Sequence, residues 1–169
     1  MNIERINNLS VKIFIEKFKN IFEKTESITL EVENIRPYKS KKHMIECFLL
    51  VFDSLDLKSK LQIIKNHPDL GDKIKINQGL TKLSYEEQSL AGLKDCSEKE
   101  FEFFNKLNTS FKLKFNIPFI FAVRGKNKND IINEFKSRLI NSDINSEIDI
   151  SIEQVKRIAL LRLEELIDD

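Results

Sequence analysis

The chain has 169 residues, and a domain of that size buries roughly 70% of the surface its unfolded form exposes, enough for one hydrophobic core without staples. Lys and Arg number 28 against 27 Asp and Glu, so the net charge of +1 supplies no summed field for a phosphate backbone or an anionic membrane. Hydrophobic residues at 41% and charged residues at 33% describe a folded protein, and no apolar run reaches the length of a membrane span, which argues against disorder and a transmembrane role. With 2 Cys, Cys47 and Cys96, there is neither a disulfide framework nor a thiolate cage, and with 2 His, His43 and His67, no closed metal site is expected. The first residues lack the basic-then-apolar pattern of a signal peptide, so a reducing cytoplasm is the expected compartment.

Taken in chain order, most of the sequence repeats its apolar residues at spacings of three and four, with few Gly or Pro to interrupt them. A first helix is expected over residues 5–23, with Ile6, Leu9, Ile13, Phe14, Phe18 and Ile21 on one stripe. Residues 25–39, with Thr25, Ser27, Thr29, Val32 and Pro37, read as a long loop. Helices follow over 41–52 (Met44, Cys47, Phe48, Val51) and 57–66 (Leu61, Ile64). The second of these must stop near His67, because Pro68 disfavours α geometry in the residue before it, and Gly71 closes the turn.

Three S-x-x-E/Q patterns mark expected helix starts, at Ser84–Glu87, Ser97–Glu100 and Ser151–Gln154. The helix from Ser97 carries Phe101, Phe104, Phe111 and Phe115 on one face. Between Pro118 and Gly125, residues 119–124 suit an extended segment or a short helical turn, with no partner strand in sight. Helices over 129–141 and 151–167 complete an expected all-α, single-domain bundle of about seven to nine helices spanning residues 1–169.

Some polar residues stand where apolar ones belong. Asn108 falls between Phe104 and Phe111 on the aromatic stripe, so it points inward and needs either a neighbouring loop backbone or a ligand. Arg162 shares the buried stripe of the last helix with Val155, Ile158, Ala159 and Leu166. Its guanidinium stays protonated and needs a carboxylate or a wet cavity: an internal Asp or Glu, a stem that snorkels outward, or a carboxylate brought by a substrate. His67, in an X-Pro turn, reads first as an exposed loop residue, with an acid/base group as the alternative; a capping box alone accounts for Ser84 and Glu87, and His43 beside Lys41 and Lys42 reads as solvent-facing.

Asn66-His67-Pro68-Asp69-Leu70-Gly71 resembles the His-Pro-Asp-Leu signature of the 2-oxo-4-hydroxy-4-carboxy-5-ureidoimidazoline (OHCU) decarboxylases, enzymes of urate breakdown. The stretch from Leu80 to Leu93, with Ser84, Glu87, Gln88 and Ala91-Gly92-Leu93, is similar to that family's next helix. Leu107-Asn108, Asn116-Ile117-Pro118-Phe119, Arg124-Gly125 and Leu161-Arg162-Leu163 recur in the family's order, so the likeness covers residues 40–167. Asn116-Ile117 replaces the usual Gly-Phe, Asn being the non-glycine residue most tolerant of left-handed backbone, and Glu26-Ser27-Ile28 stands where the family often has Ser-Pro-Trp.

The resemblance implies a cofactor-independent decarboxylase of purine catabolism that releases CO2 and (S)-allantoin, working as a homodimer on a small ureidoimidazoline with no nucleic acid or membrane partner. It implies His67, Glu87 and Arg162 as catalytic residues: His67 the general acid/base, Glu87 holding ureido or ring N–H groups, and Arg162 pairing with the leaving carboxylate or with Glu87. Pro68, Ser84, Gln88 and Asn108, with Phe119, Ile120 and Val123, are implied to bind substrate, the last three through backbone groups. The alternative on the same scaffold is a non-catalytic module that binds a ureide or another protein.

Overall fold

The computed structural model describes residues 1–72 and 80–168, and among these there are nine α-helices, one short 3-10 turn and no strand. The fold class is therefore all-α, as the apolar spacing predicts. The chain divides into two compact units, the first formed by residues 1–63 and 156–169 and the second by residues 64–155.

In the first unit the expected helix over 5–23 is two helices, α1 (Ile3–Asn7) and α2 (Val11–Phe18). The break has a local cause: Ser10 caps α2 by accepting from the Ile13 N–H, while the Asn8 side chain folds back on the Glu4 carbonyl. The interruption resets the helical phase, so Ile13 is exposed at 55% while Phe14 and Phe18 are fully buried. Residues 25–39, expected as a loop, contain α3 (Glu26–Glu33). Its low intrinsic propensity is overridden by burial of Ile28, Thr29 and Val32 on one face, with the Thr29 hydroxyl donating to the Phe18 carbonyl at 3.0 Å.

After α3, Tyr38 is held by a reciprocal pair with Asn7: the Asn7 amide donates to the Tyr38 carbonyl at 2.9 Å and accepts from the Tyr38 N–H at 2.8 Å. Helix α4 (Lys41–Ser54) then buries Met44, Cys47, Phe48 and Phe52, and Phe52 stacks on Phe22 with centroids 4.8 Å apart. His43 is of intermediate exposure, and its Nδ1 accepts from the Lys39 N–H at 3.1 Å in an exposed setting.

Helix α5 (Leu57–Asn66) ends where Pro68 requires it to. In the second unit, α6 (Lys82–Leu90) is capped by Thr81, whose hydroxyl accepts from the Ser84 N–H. The expected cap at Ser84 thus lies inside the helix, one turn late. Helix α7 (Glu98–Phe115) opens with the Ser97–Glu100 capping box and ends on Asn116 in left-handed geometry, φ +57°. Helix α8 (Lys128–Asn141) has a second capping box, Asn127 with Asp130.

Helix α9 runs over Ile144–Leu166, so the S-x-x-Q pattern at 151–154 is no helix start. Ser151 is instead a buried interior residue whose hydroxyl donates to the Glu147 carboxylate at 3.1 Å. The core of the second unit is aromatic: Phe119 stacks on Phe135 at 3.6 Å, and Phe111 meets both edge-on.

Candidate active site

The segment that follows α5, residues 67–71, is pinned from three directions within the second unit. Gln88 on α6 accepts from the Gly71 N–H at 3.1 Å, and its amide donates to the Asp69 carbonyl at 3.4 Å. Asn108 on α7 donates to the Leu70 carbonyl at 2.8 Å. One helical turn further on, Lys112 pairs with the Asp69 carboxylate at 2.6 Å. Gly71 has φ +67°, and a Cβ there would lie 2.7 Å from Phe104 Cγ, so both the backbone and the space demand glycine.

This clamp presents His67, buried at 8% exposure, to a cleft of about 360 Å³ lined by Lys65, His67, Asp69, Lys112, Asn116, Ile117 and Pro118. An imidazole flanked by two ammonium groups and a carboxylate can exchange protons with a small anion, the cations offsetting its charge. Asn108 is directed inward as its position in the aromatic stripe implies. Its Nδ2 meets loop backbone, which is one of the two expected alternatives, while its buried Oδ1 has no hydrogen-bond partner among the described residues.

Ser84, Glu87 and Gln88 share one face of α6, Ser84 and Gln88 buried and Glu87 half-buried; Pro68 is half-buried beside His67. Phe119, Ile120 and Val123 are all buried in the extended stretch between α7 and α8. Backbone groups there are partly committed: the Ile120 carbonyl accepts from Arg138 Nη1 at 2.7 Å, and the Val123 carbonyl accepts from the Lys126 N–H at 2.9 Å.

Arg162 belongs to the first unit and is 1% exposed. Its Nη1 lies 3.1 Å from the fully buried Glu23 carboxylate and donates to the carbonyls of Asn20 at 2.8 Å and Ile21 at 3.3 Å. An internal carboxylate, one of the alternatives left open by the helical spacing, is present, and it is Glu23.

Three features escaped the sequence. Lys112 lies one turn beyond Asn108 on α7 but at an exposed position, so its spacing gave no sign of the Asp69 pair. Ile131, Phe135 and Arg138 mark a buried stripe on α8 by the same reasoning that singled out Arg162. Glu147, the buried partner of Arg138, carried no signal, because its helix was expected to begin later.

A family model described as OHCU decarboxylase matches residues 7–164. The chain is 34% identical over 166 residues to the 2-oxo-4-hydroxy-4-carboxy-5-ureidoimidazoline decarboxylase of Xenopus laevis, covering 98% of this chain and 94% of that protein. It is 33% identical over 166 residues to the uric acid degradation bifunctional protein of Bacillus sp. (strain TB-90), and there 98% of this chain spans 32% of the relative.

Among solved structures, the crystal structure of (S)-allantoin synthase superposes with a TM-score of 0.77 at 19% identity, over 99% of this chain and 54% of that one. The crystal structure of OHCU decarboxylase in the presence of (S)-allantoin gives 0.70 at 16% identity, over 89% and 96%. At these identities the two structures speak for the fold. The family match along nearly the whole sequence, with the 34% identity to the Xenopus laevis protein, shows that this chain belongs to the OHCU decarboxylase family.

Proposed function

We propose that the protein is a carboxy-lyase that converts 2-oxo-4-hydroxy-4-carboxy-5-ureidoimidazoline to (S)-allantoin and CO2 in urate degradation, with His67 as its general acid/base. The observation that carries the reading is the buried His67 lining a small cleft, on a turn clamped by Gln88, Asn108 and the Lys112–Asp69 pair, in a chain of this family.

The substrate contains its own electron sink. As the bond to the carboxylate breaks, its electron pair moves toward the ureido-bearing carbon, and the adjacent C=N bond passes a pair to its nitrogen, which takes a proton. The hydroxyl then loses its proton to become a carbonyl, and the ureido-bearing carbon gains one on a single face. One proton is consumed overall and CO2 leaves, so no external electron acceptor is needed. His67 receives the hydroxyl proton and delivers the stereochemistry-setting one, an imidazole being able to act as both base and acid.

Glu87 holds ureido or ring N–H groups beside Ser84, Pro68 lines the ring, and the backbone of residues 119–123 faces its other edge. Gln88 and Asn108 act by fixing the turn that carries His67, consistent with their bonds to its backbone. Arg162 acts through the fold, because Glu23 and two carbonyls already bind its guanidinium. By the same family reading, residues 1–169 work as a single OHCU decarboxylase-like domain in a cytoplasmic homodimer; no helix among the described residues is long and apolar enough to cross a membrane.

Circular dichroism on freshly generated substrate tests the activity. Spontaneous decay yields racemic allantoin, whereas this protein is expected to yield one hand and to accelerate its formation. Racemic product at the uncatalysed rate, with the protein folded, would leave the binding-module alternative standing.

A further inference from the structure

The extended stretch between α7 and α8 has no strand partner among the described residues, yet its residues are buried: Phe119 at 1%, Ile120 at 2%, Ala122 at 6% and Val123 at 5% exposure. Buried backbone outside a helix or sheet needs side chains to meet its polar groups. Two side chains do so. Arg138 on α8 donates to the Ile120 carbonyl at 2.7 Å, and Gln154 on α9 accepts from the Ala122 N–H at 2.9 Å.

The Arg138 guanidinium is itself fixed on every side. Its Nε donates to Glu147 at 3.1 Å, its Nη2 pairs with the other Glu147 oxygen, and its plane lies over the Phe119 ring at 4.5 Å and the Phe111 ring at 5.6 Å. Glu147 is fully buried and takes a further bond from the Ser151 hydroxyl. Held in this way, and with Glu134 4.0 Å from its Nη1, the arginine directs an Nη1 donor at the Ile120 carbonyl and sets that carbonyl's position to within the play of a hydrogen bond.

We propose that Arg138, Glu147 and Gln154 are positioning residues for the reaction: they lock the backbone of residues 119–123 in the extended form, so that its remaining main-chain groups meet the flat edge of the heterocycle. This rests on the function proposed above. The three residues touch no substrate; they set where the binding edge lies, and a displacement of that edge weakens substrate and product together.

The test compares Gln154→Leu, which is half-buried and similar in size but accepts nothing, with Arg138→Lys, which keeps the charge and loses the fork. Both are measured for kcat, KM, melting temperature, binding of (S)-allantoin, and hydrogen exchange at the amides of 119–123. The expected result for each is a KM and an allantoin Kd raised about tenfold with kcat within about twofold, and faster exchange confined to 119–123. In the double variant the KM effects are expected to be non-additive, since both act on one segment.

An unchanged KM in folded Gln154→Leu and Arg138→Lys, or a loss confined to kcat, would overturn the proposal. A lowered melting temperature with kcat and KM impaired together and exchange raised throughout the chain would mark a merely structural role and overturn it as well. If the unaltered protein failed to decarboxylate, the proposed function would fall, while unchanged exchange at 119–123 in the variants would separately show that these residues do not hold the segment.

Discussion

Arg162 with Glu23 in the first unit and Arg138 with Glu147 in the second are both buried guanidinium–carboxylate pairs, yet they tie down different things. Arg162 reaches a backbone acceptor 142 residues away in sequence, Asn20, and so joins the end of α9 to the bend after α2. Arg138 and Glu147 are 9 residues apart and use their remaining geometry on one carbonyl in an irregular segment. A long-range pair of the first kind closes a unit; a local pair of the second kind shapes a surface. The same two residue types therefore serve stability in one place and proposed recognition in the other.

The sharpest way to break this contrast is to remove one partner. Arg162→Met removes the guanidinium 3.1 Å from the fully buried Glu23 carboxylate and is expected to cost about 3–5 kcal/mol in urea denaturation. The Arg162→Met, Glu23→Leu double variant is expected to recover most of that loss, since a packed apolar pair needs no ionic partner. If the double variant is as unstable as the single one, charge pairing is not what this site supplies.

Gly71→Ala comes next. Left-handed backbone costs about 1–2 kcal/mol for an L side chain, and the approach to Phe104 adds overpacking of about 1–3 kcal/mol. Thermal unfolding should show that loss, and kcat per folded molecule should fall too, because the turn carrying His67 moves. Asn108→Leu is milder: it strips the donor from the Leu70 carbonyl at about 1–3 kcal/mol and should lower kcat more than it raises KM. A pure KM effect would instead favour contact between Asn108 and substrate.

The smallest effect belongs to the exposed counterpart of the buried pairs, Lys128–Glu100 at 2.6 Å. Its bond to Lys128, with help from the Ser97 cap, lowers the Glu100 carboxyl from an ordinary 4.5 to about 2. A depressed folded-state value means the contribution is complete above pH 4.5 and is lost as pH falls from there toward 2. Melting curves across this window should decline less steeply for Glu100→Gln than for the unaltered chain, and identical slopes would show the pair to be idle.

Much of this was legible before any coordinates. The stop after α5 follows from Pro68, the cap of α7 from Ser97 and Glu100, and the left-handed Asn116 from its standing where the resembled family has glycine. The inward Asn108 and Arg162 follow from spacing alone. What failed had physical reasons: the β-branched stretch of α3 is helical because tertiary burial outweighs propensity, and Ser151 and Gln154 imitate a cap while serving two other partners, the buried Glu147 and the Ala122 N–H.

Candidate chemistry was readable at His67, but its clamp was not, since Gln88 and Asn108 reach their acceptors and donors across 17 and 38 residues of sequence. The choice between an internal and a ligand carboxylate for Arg162 turned on Glu23, a residue with no pattern around it.

His67 is the centre of the account, and one comparison reaches it directly: the rate and handedness of allantoin formed from fresh substrate by the unaltered protein and by His67→Asn, each verified as folded by far-ultraviolet circular dichroism. The prediction is a single enantiomer from the first and, from the second, a rate lower by about 10²–10⁴-fold with racemic product from the competing spontaneous reaction. A His67→Asn protein that still made one hand at the original rate would contradict it.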